Sequence, residues 1–97
     1  MDKKEIIHYL QEFKRKTWQQ YHIQKIGLFG SVARDEASDN SDIDIVVEIM
    51  EPDLFILADI KTDLEKHFGR HVDVVRKRKT MSSLFRERIE KDVIYAG

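Results

Sequence analysis

FGSVARDEASDNSDIDIVV, residues 29–47, joins a glycine turn to a strand that begins with two carboxylates. Ten residues separate Gly30-Ser31 from Asp42-Ile43-Asp44. Because side chains two apart on a strand share a face, Asp42 and Asp44 are expected to point the same way, roughly 7 Å apart along the strand. Such carboxylates repel each other unless a cation lies between them. The pattern favours Mg²⁺, which prefers hard oxygen ligands and usually also binds substrate phosphate.

The glycine turn, formed by Gly30 and Ser31, is the predicted phosphate-binding half of the site. A glycine between a strand and a helix lets the backbone approach a ligand closely. The free N–H groups at the start of the new helix favour an anion such as a triphosphate, and the Ser31 hydroxyl could add a donor. Arg34 lies one helical turn further on. It could reach a phosphate or pair with one of the carboxylates that follow it, and the sequence leaves both open.

A third carboxylate, Asp73, lies midway through a short strand predicted over residues 71–75. Its side chain is expected on the opposite face from its valine neighbours. If this strand lies beside the one that carries Asp42 and Asp44, three carboxylates converge on one point. Two cations about 3.5–4 Å apart could then be held there, as in enzymes that activate an attacking oxygen and stabilise a leaving one.

The rest of the chain alternates between helical and strand patterns. We predict helices over residues 3–19, 32–36, 53–68 and 82–92, and strands over residues 22–29, 42–49, 71–75 and 93–95. Asp2 with Glu5 is a capping pair for the first helix, Ser31 is a suitable N-cap for the second, and Gly69 ends the third. The buried stripe of the third helix is expected to contain Leu54, Leu57, Ala58, Leu64 and Phe68. This order of elements predicts a two-layer α/β domain with helices packed on one small sheet.

Composition limits the range of functions. A chain of 97 residues is expected to form a single domain over residues 1–97. The net charge of −1 indicates neither a polyanion nor a membrane partner, and no apolar run approaches the ~20 residues of a membrane span. The absence of cysteine excludes thiol catalysis and cysteine-ligated zinc, and it fits a cytoplasmic location.

Several other conspicuous residues are expected to have structural roles. The basic run at residues 76–79 is predicted to be solvated, although contact with a nucleotide, a protein or RNA stays open. His67 and His71 are four residues apart, but Gly69 should break the helix between them, which favours surface histidines over a zinc site. The following aromatic residues are expected to pack in the core or an interface rather than stack on bases: Trp18, Tyr21, Phe55 and Phe85.

The combined pattern resembles the signature of the DNA polymerase beta-like nucleotidyltransferase superfamily. The resemblance rests on Phe29-Gly30-Ser31, the ten-residue spacing, Asp42-Ile43-Asp44 and the later Asp73. It covers nearly the whole chain, and the short length is similar to that of the minimal nucleotidyltransferases. The chain departs from the common pattern at Asp35, where relatives often carry glycine, and we expect only a surface difference there.

The resemblance implies a fold and a set of roles. The fold would be the nucleotidyltransferase fold, with a small mixed sheet and helices packed on it. Asp42 and Asp44 would bind two Mg²⁺ ions, and Asp73 would complete a metal site and help to deprotonate the acceptor hydroxyl. The glycine turn would hold the phosphates of the nucleotide, with Arg34 as a further candidate for nucleotide binding.

The resemblance also implies a partner. Minimal members are often encoded beside a HEPN-domain ribonuclease toxin and serve as its antitoxin. We therefore expect a nucleotidyltransferase that transfers AMP from ATP to a hydroxyl of that toxin, a tyrosine by analogy, without direct nucleic-acid binding. A non-catalytic module that masks the toxin by complex formation alone is the alternative. An antibiotic- or RNA-modifying transferase is disfavoured by the small size of the chain.

Overall fold

The computed structural model describes residues 1–51, 53–78 and 81–97. In chain order the elements are α1 Lys3–Lys16, α2 Trp18–Tyr21, β1 Ile23–Phe29, α3 Gly30–Ala33, β2 Ile43–Ile49, α4 Leu54–Phe68, β3 Val72–Arg76, α5 Ser83–Asp92 and β4 Ile94–Tyr95. The strands form one sheet in the order β3-β2-β1-β4. β1 runs antiparallel to β2 and β4, whereas β2 and β3 are parallel. This mixed sheet with helices packed on it confirms the predicted architecture.

The hydrophobic core lies between one face of the sheet and the long helices α1 and α4. Alternate residues of β2 are buried on this face, as the two-residue period of a strand requires. The principal core residues are Ile6, Leu10 and Phe13 of α1, Ile43, Ile45, Val47 and Ile49 of β2, and Ile60 and Leu64 of α4. The side chain of Asp2 accepts a hydrogen bond from the backbone N–H of Glu5 (2.8 Å), which confirms the predicted cap of α1. None of the helices in the described residues has the length and apolar character that crossing a membrane needs.

The first predicted helix is divided in two. α1 ends at Lys16, three residues before the predicted end, because Thr17 adopts a non-helical conformation and its hydroxyl donates to the carbonyl of Phe13 (2.7 Å). A short helix, α2, follows. It ends at Tyr21 because His22 adopts a left-handed conformation with a φ of 50°, so β1 begins at Ile23 rather than at residue 22.

The predicted stripe of α4 is partly wrong. Ile60 and Leu64 are fully buried, but Leu54 is 83% exposed and Ala58 is also exposed. The buried stripe runs through Leu57, Ile60 and Leu64 at helical spacing, which leaves Ala58 beside it and Leu54 in the first turn, before the packed part of the helix. The aromatic side chain next to Leu54, at position 55, is likewise 81% exposed and so does not pack in the core.

The other element boundaries lie within one residue of their predicted positions, apart from those of α3. Asp53 caps α4 and Ser82 caps α5, each by accepting a hydrogen bond from a backbone N–H in the first turn. Gly69 ends α4 in a left-handed conformation, as predicted. Pro52, which directly precedes the predicted start of α4, lies outside the described residues.

Candidate active site

The aspartates at positions 42, 44 and 73 come together at the start of two parallel strands. In the register of β2 and β3, Asp44 lies directly opposite Asp73, and Asp42 immediately precedes β2. Oxygen atoms of Asp42 and Asp73 lie within 4.8 Å of each other and of a ring nitrogen of His71. β3, which contains Asp73, therefore lies beside the strand of Asp42 and Asp44. This is the arrangement that the convergence of the three carboxylates requires. We call Asp42, Asp44 and Asp73 the aspartate cluster.

The crowding of carboxylates affects the pKa of Asp44. Its side chain is half-buried, and burial is the main reason that its pKa is raised above the ordinary value. The neighbouring charges of Asp73 and Asp42 raise the pKa of Asp44 further, whereas Arg34 lowers it. Burial and like charges both disfavour the ionised carboxylate, and a bound cation would offset both effects. The donor set of carboxylate oxygens therefore fits a divalent cation.

The glycine turn lies against Asp44. Gly30 has a φ of +74°, and a Cβ placed on it would come within 2.9 Å of the Asp44 carboxyl carbon. Only glycine fits both the left-handed backbone and the space. The register of the sheet explains the proximity, because Phe29, at the end of β1, pairs with Asp44 of β2. The structure thus brings the predicted phosphate-binding turn next to the predicted metal-binding carboxylates.

The helix after the turn differs from its prediction. Residues 32–36 were expected to be helical with Ser31 as the N-cap, but α3 spans Gly30–Ala33 and has Phe29 at its N-cap, without a side-chain hydrogen bond. The left-handed φ of Gly30 turns the chain at once, so the helix begins there and Ser31 lies in its first turn. With four residues, α3 is too short for a substantial helix dipole.

α3 does not extend beyond Arg34 because Asp35 adopts a left-handed conformation with a φ of 60°. Aspartate tolerates this conformation better than most residues, although glycine adopts it more readily, which is consistent with the glycine that the family resemblance leads us to expect there. The Asp35 carboxylate pairs with the ammonium of Lys3 (2.9 Å), and its side chain is 73% exposed. The departure from the common pattern therefore lies on the surface, as expected.

Arg34 bridges two carboxylates. Its Nε lies 3.0 Å from Glu36, one of the predicted alternatives, and its Nη1 lies 2.7 Å from Asp92 of α5. The hydrogen bonds to Glu36 and Asp92 raise the pKa of the Arg34 guanidinium above its ordinary value. The interaction with Asp92 links the glycine turn to α5, which the sequence analysis did not foresee.

A cavity of about 290 Å³ lies between the glycine turn and α5. It is lined by Phe29, Gly30, Ser31, Arg34, Asp44, Phe85, Arg88, Ile89 and Asp92. The cavity brings together the predicted nucleotide-binding residues and one carboxylate of the aspartate cluster. Sequence reasoning did not find the contribution of α5. Helical spacing shows that its four lining residues share a face, but it does not show what that face meets.

His71 is a second residue that the sequence analysis did not place in the site. It is exposed, as predicted for a surface histidine, yet its Nδ1 lies 3.7 Å from Asp42 and 3.9 Å from Glu65. Imidazole nitrogen is an alternative ligand for divalent metals. His67 does not pair with His71; its ring stacks on that of Tyr9 at 3.4 Å.

The basic run is only partly solvated, in contrast to the prediction. Lys77 is partly buried, with its side chain 23% exposed, and its ammonium pairs with Glu90 of α5 (3.2 Å). Arg76 ends β3, and Lys79 lies outside the described residues. The interaction of Lys77 with Glu90 joins the end of the sheet to α5.

A family model for the nucleotidyltransferase domain matches residues 5–96. The chain belongs to this family. It is 33% identical to the protein adenylyltransferase MntA of Thermococcus cleftensis over 92 residues, which cover 94% of this chain and 92% of that protein. It is also 34% identical to a candidate protein adenylyltransferase of Methanocaldococcus jannaschii, over 94% of each chain. These matches confirm that the chain is a nucleotidyltransferase with a nucleotide substrate.

Solved structures support the same fold. A candidate minimal nucleotidyltransferase is 31% identical, with a TM-score of 0.75 over 97% of this chain and 95% of that chain. A toxin–antitoxin structure with AMP-PNP has a TM-score of 0.72 at 22% identity, over 90% of this chain and 72% of that chain. A tri-AMPylated HEPN toxin of Shewanella oneidensis in complex with its MNT antitoxin has a TM-score of 0.63 at 22% identity, over 93% and 71% of the two chains. These two structures are similar to the present chain in fold.

Proposed function

We propose that this protein is an antitoxin that transfers AMP from ATP to a tyrosine hydroxyl of a HEPN-domain toxin. The main support for the proposal is the aspartate cluster, which lies beside the glycine turn, where only glycine fits at position 30. Related chains are protein adenylyltransferases, and chains of the same fold form complexes with HEPN toxins. We infer that the reaction takes place in the cytoplasm, where ATP is available.

The residues of the site divide into two groups. Asp42, Asp44 and Asp73 would hold two Mg²⁺ ions, since oxygens of Asp42 and Asp73 lie close together and Asp44 lies opposite Asp73 in the sheet. Burial and the like charges of its neighbours disfavour the ionised form of Asp44, and a cation would offset both effects. Bound Mg²⁺ would neutralise charge on the triphosphate and stabilise the leaving oxygen. Gly30 and Ser31 line the cavity, and the backbone of Gly30 and the hydroxyl of Ser31 would hold the phosphates.

The proposed reaction is a displacement at the α-phosphorus of ATP. The tyrosine oxygen forms a bond to this phosphorus while the bond to the oxygen that bridges to the β-phosphorus breaks, and pyrophosphate leaves with that electron pair. Asp73 accepts the proton of the tyrosine hydroxyl, since its carboxylate is exposed at the start of β3 and can be reached by an incoming side chain. The chain contributes mainly by positioning and by charge, as is usual in phosphoryl-transfer chemistry.

The test is to incubate the protein with ATP labelled at the α-phosphate, Mg²⁺ and the toxin encoded beside it. We expect label on the toxin, and loss of transfer in the double variant Asp42→Asn with Asp44→Asn. Asp39→Asn is the matched control, because it removes an exposed carboxylate from the preceding loop without touching the cluster. Absence of transfer by the wild-type protein, or equal transfer by the double variant, would contradict the proposal.

The same variants distinguish catalysis from masking. If AMP transfer is the basis of neutralisation, the double variant should bind the toxin but fail to suppress its ribonuclease activity. Full suppression by the double variant would show that complex formation alone neutralises the toxin.

A further inference from the structure

One face of α5 closes the cavity at the glycine turn. Phe85, Arg88, Ile89 and Asp92 follow the spacing of successive helical turns and all line this cavity with Gly30. Ile89 is 1% exposed, so it fixes this face against the protein. Asp92 holds the end of the helix to the glycine turn through its ion pair with Arg34. The position of α5 is therefore fixed at Ile89 and Asp92, directly after Arg88.

The two arginines of the cavity differ in their partners. The guanidinium of Arg34 is engaged by Glu36 and Asp92 at 3.0 and 2.7 Å. Arg88 is exposed and, within the part of the chain that the structure describes, forms no hydrogen bond or ion pair. Arg88 is thus the cavity cation whose charge and donors are available to a ligand.

A triphosphate in this cavity lies close to the negative charge of Asp44, so cationic groups from the protein are needed beside it. A guanidinium suits this purpose because its planar donors can bind phosphate oxygens in pairs. We propose that Arg88 binds the triphosphate of the nucleotide, and that Arg34 is a positioning residue that holds α5 against the glycine turn. This inference rests on the proposed function, which requires ATP in the cavity.

The test is calorimetric titration of the whole protein, in Mg²⁺, with ATP and separately with inorganic tripolyphosphate. Arg88→Gln should weaken binding of both ligands by about tenfold, which corresponds to about 1.4 kcal/mol. Lys91→Gln is the matched control, because it removes a positive charge from the same helix outside the cavity; it should change either affinity by less than about twofold. Arg88→Lys keeps the charge but loses the paired donors, and it should give an intermediate loss.

The outcomes separate this inference from the proposed function. Wild-type affinity for ATP in Arg88→Gln would overturn the role of Arg88 and leave the proposed function intact. Weaker binding of ATP with unchanged binding of tripolyphosphate would also overturn it, because Arg88 would then contact the nucleoside. If the wild-type protein binds no ATP, the proposed function itself fails. Circular dichroism of each variant is the check that the fold is retained. If Arg88→Gln does not fold, Arg88→Lys provides the test.

Discussion

Gly30 and Asp44 are in contact across the first two strands: a Cβ on Gly30 would come within 2.9 Å of the Asp44 carboxyl carbon. The contact joins the two functional halves of the proposed site, since Gly30 belongs to the phosphate turn and Asp44 to the aspartate cluster. The left-handed φ of +74° at position 30 adds a backbone requirement to the steric one.

Gly30→Ala should abolish AMP transfer while leaving most of the protein folded. The backbone strain alone is about 1–2 kcal/mol, and the new methyl group must displace the Asp44 carboxylate. Label transfer and the free energy of unfolding in urea measure the two effects separately.

Gly69→Ala is the control for backbone strain. Gly69 has a similar φ of +64°, but a Cβ there meets no atom within 4 Å. We expect this variant to lose a similar amount of stability and to retain transfer. Wild-type transfer by Gly30→Ala, or equal loss of transfer in both variants, would show that the contact with Asp44 is unimportant.

The ion pair between Arg34 and Asp92 should stabilise the docking of α5. A double-mutant cycle with Arg34→Gln and Asp92→Asn should give a favourable coupling in the free energy of unfolding that exceeds the error of the measurement. The cycle of Arg34→Gln with Glu36→Gln should give a value near zero, because the Glu36 side chain is 64% exposed whereas that of Asp92 is 14% exposed. Equal coupling in the two cycles would contradict the assignment of Arg34 as the link to α5.

Because its pKa is raised, Tyr21 is expected to contribute less to the stability of the protein at high pH. Burial is the main reason that its pKa is raised above the ordinary value of about 10, and the hydrogen bond that its hydroxyl donates to Asp63 raises it further. Above about pH 10 the unfolded chain therefore loses this proton before the folded chain does. The folded state then binds more protons, so this contribution to stability falls as the pH rises toward the folded pKa.

Tyr21→Phe isolates that contribution. The variant should be less stable than wild type by about 1 kcal/mol at neutral pH, because the hydrogen bond to Asp63 is lost. The difference between the two proteins should be constant from pH 7 to pH 9 and shrink above about pH 10. Urea denaturation across this range measures it, and a difference that stays constant to pH 11 would refute the link to Tyr21 ionisation.

The relation between Asp42 and Asp44 could be predicted because it depends on a local rule, the two-residue period of a strand. The approach of Asp73 could be stated only as a condition, because it depends on which strands are neighbours, and the parallel pairing of β2 with β3 meets that condition. Gly30 was identifiable for a similar reason, since a glycine between a strand and a helix indicates a special backbone conformation.

The contribution of α5 could not be predicted in this way. Arg34 and Asp92 are 58 residues apart, and their contact depends on how a separate helix docks on the finished sheet. The approach of His71 to the site could not be predicted either, because sequence spacing relates it only to nearby residues such as His67. Its proximity to Asp42 comes from the pairing of two strands that are distant in sequence.

Affinity for a non-hydrolysable ATP analogue, measured in Mg²⁺ and again in a chelator, tests most directly whether the aspartate cluster holds the cation that the nucleotide needs. The wild-type protein should bind at least about tenfold more tightly in Mg²⁺, a gain of about 1.4 kcal/mol. Asp44→Asn should lose this gain, whereas Asp39→Asn should keep it. Equal affinity of the wild-type protein in both conditions, or an undiminished gain in Asp44→Asn, would contradict a cation site at these carboxylates.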